Sequence, residues 1–163
     1  MEKEFTCCFT GHRIIPENRE DQIRCILRIH IKNLIEDKGV TDFIAGGALG
    51  FDTIAAETVI DLKEDYPFIK LHLYLPCFDQ SAKWSMVDRY KWRMMMAKVD
   101  DYAYITESKY TPDCMQKRNR RMVDDSCYCI AYCVKQNSGT GTTVRHAELT
   151  GTEVYNIAET IYE

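Results

Sequence analysis

Three short segments of the chain combine glycine with small polar or basic residues in a pattern that suits anion binding. They are Thr10-Gly11-His12-Arg13, Gly46-Gly47-Ala48-Leu49-Gly50 and Ser138-Gly139-Thr140-Gly141-Thr142-Thr143. Glycine lets backbone N–H groups approach a ligand closely, and the N-terminus of a helix attracts a phosphate. The guanidinium fork of Arg13 matches a phosphate, although a surface ion pair is its alternative role. Because loop closure explains any one such turn, the prediction of a binding site depends on all three.

Strand-like and helix-like segments alternate along the chain and place each of these turns after a strand. Apolar residues at 3.6-residue spacing, such as Ile23, Leu27 and Ile31, predict a helix over 18–38. Further helices are predicted at 51–64, 84–98, 112–125 and from the 138–143 turn to about 149, and strands at 5–9, 42–45, 69–75, 102–105, 127–134 and 153–157. Strands separated by helices favour a parallel sheet covered on both faces. We therefore predict one α/β domain over residues 1–163, with a doubly wound, mostly parallel, Rossmann-like sheet.

The three turns are expected to meet at one edge of that sheet. In a doubly wound fold, ligands bind outside the carboxyl ends of the strands, where the strand order reverses. Gly139, Gly141 and Thr142 are expected to cradle a phosphate there, at the start of a helix. No standard nucleotide fingerprint is present, since the chain lacks G-x-x-x-x-G-K-[ST] and Gly139-x-Gly141 has no third glycine.

The composition limits the classes of partner. The 163 residues are 45% hydrophobic and 28% charged, which is typical of a globular protein and excludes disorder, collagen and coiled coil. The net charge of −4 argues against nucleic acid as a partner, because strand binding depends on a positive groove. No apolar run approaches the roughly 18 residues of a membrane helix, and the charged start Met1-Glu2-Lys3-Glu4 is not typical of a signal peptide. We therefore expect a cytoplasmic protein without a membrane partner.

Eight cysteines are expected to be reduced thiols, since they are fewer than a disulfide scaffold uses. Cys127-x-Cys129-x3-Cys133 suggests a metal cluster, but its spacing does not match paired C-x2-C knuckles. The apolar neighbours Ile130 and Ala131 indicate a buried strand, on which the three cysteines share one face. Packing under a helix is favoured over zinc, and no metal is predicted.

The motifs, taken in order, resemble one known family. The match begins with Phe9-Thr10-Gly11-His12-Arg13 and with Gly46-Gly47-Ala48-Leu49-Gly50-Phe51-Asp52 followed by Ala55-Ala56-Glu57. It continues with Gln80 and Trp84, Arg118-Asn119 with Met122-Val123-Asp124, and Ser138-Gly139-Thr140-Gly141-Thr142. Each motif alone is loose, but the ordered set covers nearly the whole chain and is similar to the YpsA-like family of the SLOG superfamily.

The resemblance implies a Rossmann-like fold and a nucleotide or nucleotide-derived ligand in a common pocket. The wider superfamily includes cytokinin-activating phosphoribohydrolases and the Rossmann domain of the DNA-processing protein DprA. Together with the turns, the resemblance indicates these ligand-binding residues: Thr10, Gly11, His12, Arg13, Gly46, Gly47, Ala48, Gly50, Asp52, Gln80, Trp84, Arg118, Asn119, Ser138, Gly139, Gly141, Thr142 and Thr143. No further cofactor is predicted, and a homodimer is left open.

One position departs from the phosphoribohydrolases, in which glutamates with a catalytic role follow a Gly-Gly-x-Gly-Thr turn. Here Val144 and Arg145 follow the turn, and Glu148 lies about one helical turn further on. Other acids that could serve are Asp52, Glu57 and Asp124. We therefore rank a cytosolic binding protein, acting as a sensor, first. An enzyme that cleaves an N-glycosidic or phosphate-linked bond is second, and a DprA-like binder of single-stranded DNA is third.

The missing acid predicts that the protein does not release free base from nucleoside monophosphates at an enzymatic rate. A positioned acid or base typically contributes about 10²–10⁴-fold to such a reaction. Chromatography after incubation with AMP, GMP, CMP and UMP measures the released base. A turnover near 1 s⁻¹ or faster, roughly the ordinary enzyme range, contradicts the prediction and favours the hydrolase.

Overall fold

Six strands form one parallel sheet in the computed structural model, which describes residues 1–163. They are β1 (Thr6–Gly11), β2 (Asp42–Ala45), β3 (Lys70–Leu75), β4 (Asp101–Tyr104), β5 (Tyr128–Tyr132) and β6 (Glu153–Asn156). Their order is β4-β3-β2-β1-β5-β6, and every neighbouring pair is parallel. The prediction of a doubly wound α/β fold is confirmed, with a sheet that is wholly rather than mostly parallel. The strand order reverses between β1 and β5, so this gap is the topological switch point.

The helices that connect the strands begin and end close to the predicted positions. They are α1 (Glu20–Lys38), α2 (Phe51–Leu62), α3 (Met86–Met96), α4 (Cys114–Asp124) and α5 (Gly139–Leu149), followed by a short α6 (Ala158–Ile161). None of them combines the length and the apolar character that crossing a bilayer requires. A left-handed glycine, Gly39 with φ 71°, ends α1 and lets the backbone turn towards β2.

Three local differences from the sequence prediction have simple causes. The strand β1 continues through Thr10 and Gly11, because both residues pair with β5. Trp84 lies before α3 rather than within it, because the Ser85 hydroxyl caps that helix by accepting the N–H of Asp88 at 3.1 Å. The helix α6 is too short to produce a periodic pattern in the sequence.

The core occupies both faces of the sheet because successive strand residues point to opposite sides. On one face, Leu27 of α1 packs in the same cluster as Phe9 and Phe43, whose rings stack with centroids 5.9 Å apart. On the other face, Cys129 of β5 packs in a cluster with Met122 of α4. Buried apolar surface stabilises such clusters by roughly 25 cal/mol per Å². The sheet therefore offers a rigid edge from which the loops that follow the strands can be positioned.

Candidate functional site

A cleft of about 230 Å³ opens at the carboxyl edge of the sheet, at the switch point between β1 and β5. We call it the switch-point cleft. The turn after β1, the loop before α2, the first turns of α4 and the N-terminus of α5 enclose it. Its lining residues are Thr10, Gly11, His12, Arg13, Ala48, Asp52, Met115, Gln116, Arg118, Asn119, Ser138, Gly139 and Thr140.

Three of these lining residues are absent from the sequence prediction. Met115 and Gln116 precede Arg118 by three and two positions on α4, so helical spacing from Arg118 was the available signal for Met115. Thr140 lies inside the predicted glycine-rich turn, and it contributes through its position at the start of α5.

The other predicted residues lie outside the cleft. Gly46 lies against Arg118, and the Gln80 amide donates to its carbonyl at 3.2 Å, whereas Gly47 lies beside Leu75, Gln80 and Trp92. Gly50 and Trp84 line a second and larger groove between α2 and α3. Gly141, Thr142 and Thr143 continue into α5 without lining either cavity. The turns that the sequence groups together are therefore divided between two neighbouring cavities and the surrounding wall.

Arg118 places a buried positive charge against the cleft, with 4% of the residue exposed. Its Nη1 donates to the carbonyl oxygens of Gly46 and Tyr74, the latter at 3.3 Å, and its Nε donates to Oδ1 of Asn119 at 2.8 Å. Nη2 contacts only the Met115 sulfur, at 3.8 Å, and so has no oxygen acceptor. Burial lowers the pKa of Arg118, but a guanidinium keeps its proton in proteins. One end of a buried cation is thus free to donate to a ligand.

Asp52 is the acidic residue that lines the cleft. Burial raises the pKa of the Asp52 carboxyl, and the charge of Arg118 and the N–H of Ala48 oppose that shift. Its Oδ2 accepts the Ala48 N–H at 3.3 Å, which fixes the turn before α2. The other acids considered from the sequence lie elsewhere: Glu57 lines the larger groove, and Asp124 contacts His146 at 2.9 Å.

Arg13 adds a second positive charge at the mouth of the cleft. It is exposed, and its Nη2 lies 3.7 Å from the same Met115 sulfur that Arg118 contacts. The two guanidinium groups therefore converge on one side chain, and their repulsion contributes to the lowered pKa of Arg118. Two arginines against one buried aspartate leave the cleft locally positive.

The N-terminus of α5 supplies uncharged donors to the same cleft. The Ser138 hydroxyl accepts the N–H of Gly141 at 3.0 Å, and the Ser138 carbonyl accepts the N–H of Thr142 at 3.0 Å. The remaining two first-turn N–H groups, those of Gly139 and Thr140, have no partner within the helix. Both residues line the cleft, where the helix dipole favours a negative charge. The cleft is therefore equipped to bind an anion.

His12 has a structural role at the switch point. Its Nε2 accepts the backbone N–H groups of Val134 at 2.9 Å and Lys135 at 3.2 Å, so the neutral ring carries its proton on Nδ1. Burial, together with the charge of Lys135, lowers the pKa of His12 and favours this neutral form at pH 7. The ring joins the exit of β1 to the exit of β5, and Nε2 is not available to a ligand.

The glycines of the motifs serve two different purposes. A Cβ at Gly46 would lie 2.5 Å from Nη1 of Arg118 and 2.7 Å from Oδ2 of Asp52, so this glycine makes room for the buried charges. A Cβ at Gly141 would overlap the Gln136 backbone, whereas one at Gly139 would approach only the flexible Gln116 amide, at 3.4 Å. Gly139 therefore borders the cleft, and Gly141 permits close packing of the loop on α5.

Comparisons with known sequences point to one family. A family model described as the YspA SLOG family (YpsA) matches residues 11–158. The SPbeta prophage-derived protein YoqJ of Bacillus subtilis (strain 168) is 30% identical over 131 residues, which cover 74% of this chain and 77% of that protein. The UPF0398 protein YpsA of the same strain is 25% identical over 148 residues, covering 85% of this chain and 82% of that protein.

Two solved structures share the fold. DNA processing protein A from Helicobacter pylori superposes with a TM-score of 0.65 at 18% identity, and DprA from Streptococcus pneumoniae with a TM-score of 0.68 at 14% identity. Each superposition covers 93% of this chain. The chain spans 64% and 49% of the lengths of those two proteins.

The comparison overturns the argument against nucleic acid as a partner. The Helicobacter pylori protein, which has the same fold, is described by its single-stranded DNA binding mode. The prediction that nucleic acid is not a partner was wrong because a net charge of −4 averages over the whole surface. Binding depends on the local field, and the switch-point cleft is positive although the chain is acidic.

The contrast between two glycines gives a testable prediction. We expect Gly141→Ala to lower the free energy of unfolding clearly, because the added Cβ overlaps the Gln136 backbone. Gly139→Ala should change that free energy by no more than about 0.5 kcal/mol, as for an ordinary surface substitution. Urea denaturation of both variants measures the difference. Equal destabilisation by the two changes would contradict the assignment of Gly141 to packing and Gly139 to the cleft.

Proposed function

The chain belongs to the YspA SLOG family, and from this premise we propose that it binds the phosphate of a nucleotide-type ligand in the switch-point cleft. The proposal rests on one observation above all, the buried guanidinium of Arg118 with an Nη2 that lacks an oxygen acceptor. A phosphate oxygen is a strong hydrogen-bond acceptor, and its negative charge and geometry match those of a guanidinium. We place this function in the cytoplasm and regard sensing of the ligand as its purpose.

The remaining groups of the cleft supply further donors to the same anion. Oδ1 of Asn119 accepts a hydrogen bond from Arg118, so the Nδ2 group of Asn119 remains available as a donor to the ligand. The unpaired N–H groups of Gly139 and Thr140 and the guanidinium of Arg13 complete the set. Hydrogen bonds to a charged group contribute about 1.5–3 kcal/mol each, so a few of them support specific binding.

Binding is favoured over hydrolysis as the role of this site. The one carboxyl that lines the cleft, Asp52, is committed to the Ala48 N–H and lies beside Arg118. His12 has its Nε2 occupied by two backbone donors, so it does not offer a base there. Neither group resembles a free acid or base placed beside a scissile bond.

Single-stranded DNA is the second candidate ligand. It is favoured by the likeness to the DNA processing protein A of Helicobacter pylori, described by that binding activity. A DNA strand presents the same phosphate chemistry to Arg13 and Arg118 as a free nucleotide does. The two ligands differ in how many phosphates the protein must neutralise.

Three arginine variants test the proposal by calorimetry with AMP. Arg118→Met should weaken binding by about 1.5–3 kcal/mol, the scale of a charge-assisted hydrogen bond. Arg13→Ala should also weaken AMP binding, and it should leave the protein folded because Arg13 is exposed. Arg120→Ala is the matched control, since Arg120 is exposed on the same helix outside the cleft, and it should bind like the unmodified protein. Thermal unfolding of each variant separates lost binding from lost fold.

An oligothymidylate labelled with a fluorophore extends the same experiment to DNA. If two arginines contact phosphates, the logarithm of the binding constant should fall by about 1.4 per tenfold rise in salt, at about 0.7 per phosphate. Binding of the oligonucleotide without binding of AMP would favour the second candidate. Absence of binding to both, in a folded protein, would contradict phosphate recognition by this cleft.

A further inference from the structure

A second cavity adjoins the switch-point cleft and is much larger. It measures about 750 Å³ and lies between α1, α2 and α3. Trp84, Trp92, Tyr90, Met94 and Met95 line it on the α3 side, and we call it the aromatic groove. Tyr90 is 64% exposed and Met94 49% exposed, so these apolar side chains meet solvent.

The two cavities are neighbours that have one lining residue in common. Arg13 lines both of them, and the chain passes from Ala48 in the cleft to Gly50 in the groove within three residues. A Cβ at Gly50 would overlap the backbone of Arg13, which shows how closely the two segments approach at the boundary. A ligand held by Arg13 in the cleft is therefore next to the opening of the groove.

The two cavities differ in size relative to ordinary ligand sites. Sites for small molecules usually measure about 300–1,000 Å³, and the switch-point cleft lies below that range. The aromatic groove lies within it. A ligand larger than the cleft has the groove next to it, beyond Arg13.

The walls of the groove suit a flat aromatic ring. The Trp84 and Trp92 rings meet edge to face, with centroids 6.4 Å apart and planes at 87°. Indole faces stack on nucleobases regardless of base identity. Four acidic and four basic side chains line the groove and balance in charge, and Arg24 lies 3.4 Å from Glu20 and 3.6 Å from Glu57. A lining whose formal charges balance gives a second anionic group no net electrostatic attraction.

Two buried polar atoms near the groove have no partner. Trp92 Nε1 and Gln80 Oε1 are inaccessible to solvent and make no hydrogen bond, and both lie near Gly47. Unpaired buried polar atoms are rare in native proteins and call for an explanation. One atom is a donor and the other an acceptor, and each lies 3.5 Å from the position that a Cβ at Gly47 would take, so both belong to the wall behind Trp92 rather than to the open groove.

We propose that the aromatic groove binds the base of the same nucleotide whose phosphate occupies the switch-point cleft. This inference rests on the proposed function and adds the position of the base and the residues that contact it. Trp84 and Tyr90 are assigned to the base, and Arg13 lies between the base and the phosphate.

Intrinsic fluorescence tests the inference because the only two tryptophans of the chain, Trp84 and Trp92, both line the groove. AMP should change the tryptophan emission, whereas ribose 5-phosphate, which lacks the base, should bind by calorimetry with little change in emission. Trp84→Ala and the exposed-site variant Tyr90→Ala should each weaken AMP binding about tenfold and ribose 5-phosphate binding less than twofold. Arg13→Ala should weaken both ligands. Tyr102→Ala is the control, since Tyr102 is exposed on β4 outside the groove.

The other possible outcomes each show whether the base lies in the aromatic groove. If AMP and ribose 5-phosphate bind equally well and neither changes the emission, the base is not in the groove, while phosphate recognition stands. If no phosphate compound binds, the proposed function and this inference are both wrong. An emission that changes with protein concentration instead of AMP would show that a second copy of the chain covers the groove, and would overturn the proposal. If oligothymidylate changes the tryptophan emission and AMP does not, the groove binds the bases of a DNA strand, and the proposal that it binds the base of a nucleotide is overturned.

Discussion

The burial of one guanidinium constrains the whole carboxyl edge of this sheet. Arg118 lies on α4, yet its Nη1 donates hydrogen bonds to the carbonyl oxygens of Gly46 after β2 and Tyr74 in β3. Asp52 balances the charge from the start of α2. A buried charge is costly unless it is compensated, so Arg118 depends on these carbonyl acceptors together with the nearby carboxyl of Asp52. Gly46 follows from this arrangement, since a side chain there would occupy the space of both charges.

The way in which Arg118 is held also explains how an acidic protein presents a positive site. Oxygen acceptors hold Nη1 and Nε of Arg118, whereas Nη2 contacts the Met115 sulfur, which Arg13 also contacts in the cleft. The His12 ring keeps the two walls of the cleft in place by joining β1 to the loop after β5. Local geometry thus determines the electrostatic field at the site, and the total charge of the chain does not.

A shared fold does not fix a common ligand. The DNA processing proteins and this chain have the same sheet, but function depends on the residues placed at its edge. In this chain the edge carries two cavities of different character, one polar and positive and one aromatic and balanced in charge. Arg13 lines both cavities, so the proposed ligand is one that occupies both at once.

The sequence by itself determined the alternation of strands and helices, the parallel sheet and the edge at which the glycine turns meet. Its motifs also indicated Arg118 as a ligand-binding residue, through their resemblance to the family. The strands and helices depend on periodicity over a few residues, and the motifs depend on local residue order. A sequence displays both directly. Only the tertiary structure decided that Gly139 borders the cleft while Gly141 packs on Gln136, that Nε2 of His12 is occupied, and that Trp84 belongs to a second cavity. Those outcomes depend on which distant segments approach each residue, and no local pattern contains that distance.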